Sequence, residues 1–221
     1  MGRLAVAVFI GSLALLAGGA QGDVVPSLAD EDLFRRLEPH MTIAGLRLEE
    51  ATLESAMRRL GTVDRKDWLK GTKSPFLCYV GPDGTQLGLG FGASESLPIL
   101  WRFELVGPGA ELEYRPTSAV PRADRPTCRP VKNLSAQTKG GLRLGMTKAE
   151  VTSLLGMENG GSGENSWAYS GAQRLELTPA QREILIEAGV SPVDFLVERD
   201  LRLEFRAGRL VAIRVKQLTR G

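Results

Sequence analysis

The stretch Gly141–Gly156, GLRLGMTKAEVTSLLG, has a near copy upstream in Gly45–Gly61, GLRLEEATLESAMRRLG. Both open on Gly-Leu-Arg-Leu, reach a threonine, carry apolar side chains at helical spacing and stop on glycine. A local pattern used twice constrains the chain to two similar units. In the second, Thr147 is placed to cap a helix, Glu150 to reach back to it, and Val151, Leu154 and Leu155 to form its apolar stripe before Gly156. In the first, Leu53, Ala56, Met57 and Leu60 make the stripe after Thr52, and Gly61 ends it. An earlier helix is expected over Ala29–Glu38, with acids first, arginines later and Pro39 as the stop.

After each helix the period changes from helix to strand. Phe76–Val80 (FLCYV) is a short apolar run before Gly81-Pro82-Asp83-Gly84, a turn signal. Thr85–Ala93 then alternates Leu87, Leu89 and Phe91 against Gly88, Gly90 and Gly92. That glycine face marks a bent strand or the close approach of another group. Pro98–Val106 alternates Trp101, Phe103 and Leu105 against Arg102 and Glu104. In the second unit MENGGSGEN, Met157–Asn165, reads as a mobile turn, followed by a strand with Trp167 and Tyr169 on one side. A closing hairpin alternates Leu201, Leu203 and Phe205, and then Val211, Ile213 and Val215, against charged residues. Between the units, residues 107–140 carry Pro108, Pro116, Pro121, Pro126 and Pro130 and read as a linker. The second unit also has an extra helix near 178–189, with Thr178 as cap and Pro179 at its first position. It is expected to pack on the body or to act as a lid.

The expected fold is therefore α+β. Each of two tandem units, 23–106 and 141–221, places a helix-loop-helix on one face of an antiparallel meander sheet.

The opening residues read as a signal peptide over 1–22: Arg3, an uncharged apolar run Leu4–Ala17, then Gly18, Gly19 and Ala20. The alternative, a membrane anchor, needs a run of roughly 20 apolar residues. No lipidation cysteine stands at the exit of the run, so the expected location is periplasmic or secreted. Cys78 and Cys128 then pair as a disulfide, the alternative being two buried thiols. A bridge closing so long a loop is worth roughly 4 kcal/mol. The whole chain holds 28 basic and 26 acidic side chains, and the leader takes Arg3 and no acid. So balanced a charge excludes nucleic acid and anionic membranes as partners recruited by net charge.

The pattern GLRLGMTKAEVTSLLG, a strand, and then LEFRAGRLVAIRV resembles the repeat of the β-lactamase-inhibitory proteins and of the small outer-membrane lipoprotein of the β-barrel assembly machinery. The resemblance implies tandem helix-loop-helix units on an antiparallel sheet whose concave face meets protein partners. The missing lipidation cysteine and the extra helix depart from that pattern, and no contact residues carry over.

Catalytic chemistry finds little support. His40 is the sole histidine, and no GxSxG, HExxH or phosphate loop is present. No cofactor is implied. Cys78, Cys128 and His40 lack a fourth ligand for a metal and any recognisable ligand spacing. The reading is a non-catalytic module that binds another extracytoplasmic protein, or else an envelope-structural protein without a specific partner. The candidate binding residues lie on the faces opposite the core: Arg202, Glu204, Arg206 and Arg214 in the last hairpin, with Tyr79 and Tyr169 as aromatic anchors. The bland alternative for the charged ladder is a solvated face.

Overall fold

A computed structural model describes residues 28–63, 75–92, 98–113, 128–187 and 194–220. The expected leader, the middle of the linker and the end of the extra helix with its following Ser191-Pro192 turn lie outside the described residues. The described chain runs α1 (Leu28–Leu37), a 3-10 turn (Glu38–Met41), β1 (Thr42–Ile43), β2 (Leu46–Arg47), α2 (Leu53–Leu60), β3 (Phe76–Val80), β4 (Gln86–Phe91) and β5 (Leu100–Val106). It continues through β6 (Arg129–Pro130), α3 (Lys148–Leu155), β7 (Gly160–Gly163), β8 (Ser166–Leu175), α4 (Pro179–Glu187), β9 (Phe195–Arg206) and β10 (Arg209–Arg220).

The architecture corrects the α+β expectation. Instead of two meanders each under its own helical pair, there is one eight-stranded mixed sheet in the order β6-β3-β4-β5-β10-β9-β8-β7, plus a two-stranded β1–β2 hairpin. The protein is mostly β. Two features produce this. Strands β9 and β10 run 12 residues each, well beyond the alternating segments read from sequence, whereas α2 and α3 have only eight residues. The edge of β5 is also not left open. It pairs antiparallel with β10, Phe103 facing Val215 and Leu105 facing Ile213, so the two expected sheets are one.

Side chains alternate across this sheet. Leu77, Tyr79, Leu87, Leu89, Phe103, Leu105, Leu201, Leu203, Ile213 and Val215 lie on the inner face with Leu33 and Leu37 of α1, Leu53 and Ala56 of α2, and Val151 and Leu155 of α3 in one core cluster. The hairpin's alternation is broken once: the register shifts between Leu210 and Ala212, which puts Leu210 into the core and leaves Val211 half-buried outside it. The glycine-rich segment expected to be a mobile turn forms β7 and pairs with β8.

Local signals around the helices hold. Thr147 accepts from the Glu150 amide while the Glu150 carboxylate accepts from the Thr147 amide, and Thr52 and Ser55 make the same reciprocal box. Gly61 and Gly156 end the helices at φ of 102° and 82°, a region that favours glycine. A second parallel was invisible in the sequence. The Tyr79 hydroxyl donates to the Gly61 carbonyl and the Tyr169 hydroxyl to the Gly156 carbonyl, each at 3.1 Å. Each tyrosine thus ties a strand of the sheet to the end of the preceding helix. Burial pushes both phenols up to about 12.

The glycine face of β4 meets the chain's own side chains. A Cβ on Gly88 would lie 2.7 Å from the Phe76 ring, and one on Gly90 would lie 2.8 Å from the Arg102 stem. Beside them Cys78 and Cys128 form a disulfide with Cα atoms 4.5 Å apart, packed with Phe76 and Leu112. The bridge holds β6 parallel to β3 at the sheet edge.

Replacing Tyr79 or Tyr169 by Phe removes one largely buried hydrogen bond and is expected to lower stability by about 1 kcal/mol each. Urea unfolding of the two variants checks this, and loss in neither would contradict a clamping role for the hydroxyls.

Candidate interaction surface on the outer face of the sheet

The even-numbered positions of β8 and β9, and of β10 from Ala212 onward, lie on the face away from α1, α2 and α3. Register places Ala168 beside Arg202, Arg202 beside Arg214, and Arg214 beside Glu104 of β5. The next row holds Ser170, Asp200, Lys216 and Arg102. The structure therefore gathers Arg202, Glu204, Arg206 and Arg214 on one surface, as the alternation implies.

It does not bring Tyr79 and Tyr169 there. Both are fully buried on the inner face, with their hydroxyls committed to helix ends, which corrects their assignment as surface anchors. Strand parity is the reason: each sits in phase with core leucines of the neighbouring strand, Tyr79 opposite Leu87 and Tyr169 opposite Leu201.

The four charged residues differ in how they are held. Arg214, only 13% exposed, contacts Glu204 at 3.2 Å, Glu113 at 3.3 Å and Glu104 at 3.7 Å, and donates to the Glu111 carbonyl at 3.1 Å. Glu104 is 3% exposed and accepts from the Glu113 amide at 2.6 Å. Arg206 is exposed and donates to the Gly109 carbonyl at 3.1 Å. These bonds fasten residues 107–113 across the outer side of β5 and β10. A depression of about 440 Å³ remains among Gly109, Glu111, Glu113, Glu204, Arg206 and Arg214.

Beyond that segment Ser170 and Arg202 are exposed, and Ala168, Asp200 and Lys216 are half-buried. Asp200 is bonded by Lys216 at 2.7 Å and by the Ser170 hydroxyl. Burial raises its pKa, but those two bonds and the charges of Lys216 and Arg202 outweigh it and hold the carboxyl below its ordinary value. Arg202 is exposed and forms no hydrogen bond or ion pair with any described residue. Helix α4 leaves Ile186 exposed. Its Arg182 bonds Asp194 and the Leu177 carbonyl.

Sequence reasoning missed two polar sets. Glu104 was read as one more alternating charge because its partner Arg214 is far along the chain. On the inner face, Arg199 is 6% exposed, lies 3.7 Å from the centre of the Phe34 ring, pairs with Glu38 and donates to Gln217 at 2.7 Å. Gln217 in turn donates to Glu49. The available signal was phase: Arg199 and Gln217 fall on the apolar parity of their strands. His40 is also buried, 2% exposed, and shares a 2.9 Å hydrogen bond with the Thr138 hydroxyl. Among the described residues no three metal-ligating side chains cluster, and no helix is long and apolar enough to cross a membrane.

The chain matches no protein-family model, no curated protein and no solved structure.

Burial depresses the His40 pKa from 6.5 to about 4. The unfolded chain therefore takes up the proton first, so stability is full above about pH 6.5 and is lost as pH falls towards 4. Between pH 7 and pH 5 this amounts to about 2 kcal/mol. Urea midpoints at the two values should show that loss, and His40→Gln should remove it. An equal loss in the variant would place the titration elsewhere.

Proposed function

We propose that this chain is a secreted or periplasmic, non-catalytic protein-binding module that meets its partner with the outer face of β8, β9 and β10. The observation that carries the reading is a sheet face opposite α1, α2 and α3, whose charges are held in place before any partner arrives. Asp200 is fixed by Lys216 and Ser170, and Arg214 by Glu104, Glu113 and Glu204. Side chains already held lose less freedom on binding than side chains ordered by it. The disulfide supports an oxidising compartment, and the apolar opening residues support export. The matched clamps, Tyr79 on Gly61 and Tyr169 on Gly156, support kinship of the two halves and with it the resemblance to the β-lactamase-inhibitory repeat.

A photo-crosslinking amino acid tests the face directly. Placed at Ala168 on the outer side and, as a control, at Arg58 on exposed α2, it should give a discrete protein adduct in the native host from Ala168 alone. No adduct at Ala168, or equal adducts at both positions, would remove the outer face from contention.

A further inference from the structure

The charges on the outer face are unevenly satisfied, and the unevenness points at one strand. Arg202 stands directly opposite Arg214 in the β9–β10 register, and like charges in facing positions repel. Arg214 is compensated by three carboxylates on other elements. Arg202 is not. Its other cross-strand neighbour is Ala168, which offers no charge. Asp200, two residues away on the same face, feels the charge of Arg202 but spends its bonds on Lys216 and Ser170. Four residues along β9 on the same face, Arg206 gives one N–H to the Gly109 carbonyl and forms no ion pair with a described residue, although Glu111, Glu113 and Glu204 line the same depression. The guanidinium group carries five N–H donors in a fork that matches a carboxylate. Between the two arginines Glu204 is bonded to Arg214.

We infer that the outer face of β9 receives an acidic segment of the partner protein, one carboxylate pairing with Arg202 and a second with Arg206. At the strand rise of about 3.3 Å per residue the two arginines stand about 13 Å apart, so the complementary carboxylates have that spacing. This rests on the outer face being the interaction surface, and it adds the partner's chemistry. The short side chains of Ala168 and Ser170 on β8 leave room beside Arg202 for a chain to lie along the strand. Arg202 costs the free protein a repulsion with Arg214 that an acid at that position would convert into an attraction.

The test uses the purified full chain, followed by backbone amide NMR, with poly-L-glutamate, poly-L-lysine and phosphatidylglycerol vesicles as probes. Poly-L-glutamate should shift amides of β8 and β9 around Arg202 and Arg206, while poly-L-lysine and the vesicles leave them in place. Arg202→Glu should weaken poly-L-glutamate binding at least ten-fold while the dispersion of its amide spectrum shows the chain still folded. Arg202→Lys should retain most of the binding. Shifts confined to other surfaces, unchanged affinity in Arg202→Glu, or vesicles acting on the same amides as strongly would overturn the inference. A crosslink from Ala168 that survives Arg202→Glu would leave the outer face as the binding surface and refute its acidic partner. Absence of that crosslink in the wild type removes the surface itself.

Discussion

The ladder between β5 and β10, from Ala212 opposite Val106 to Lys216 opposite Arg102, is the contact on which the rest of the molecule depends. It seats the C-terminal strand in the middle of the sheet, with β5 on one side and β9 on the other. On the inner face it makes one core of what would otherwise be two small ones, since Phe103 and Leu105 meet Val215 and Ile213 there. On the outer face it sets Glu104 beside Arg214 and so creates the buried charge pair that fastens residues 107–113. Pairing segments so distant in sequence costs loop-closure entropy, which grows slowly with length. The apolar area covered by a continuous core offsets that cost. The Cys78–Cys128 bridge shortens the path between the halves by holding residues 128–130 at β3.

Much of the local structure was legible in the residues. Alternation located β4, β5, β9 and β10, and threonine caps with terminal glycines located α2 and α3. These features depend on neighbours within a few positions. What depended on distant partners was not legible. The merging of two expected sheets follows from an edge of β5 finding β10, and nothing within Pro98–Val106 announces that partner. The faces of Tyr79 and Tyr169 follow from strand parity against the core, which favoured burial over the surface role expected of exposed aromatics. The glycines of β4 were recognisable as a close-approach site, but Phe76 and Arg102 as the approaching groups required the register.

The candidate surface divides in the same way. Arg202, Glu204, Arg206 and Arg214 could be placed together by counting alternate residues. Their inequality could not, because it is made by Glu104, Glu113 and the Glu111 carbonyl arriving from the other half of the sheet. Arg214 is a structural residue by its contacts. Arg202 bonds no described residue and stands opposite another arginine, with only the charge of Asp200 near it on its own strand. A residue that weakens a local structural rule without a compensating internal contact is where function is expected to show.

The central claim, that the two halves form one sheet through β5 and β10, is tested most directly by native-state hydrogen exchange across low denaturant. Amides along the shared ladder, together with those of β4 and β9, should exchange through one opening event whose free energy and denaturant dependence match global unfolding. If β3–β5 open with one free energy and β8–β10 with another, or if the ladder amides exchange before the strands on either side, the halves are separate units and the account is wrong.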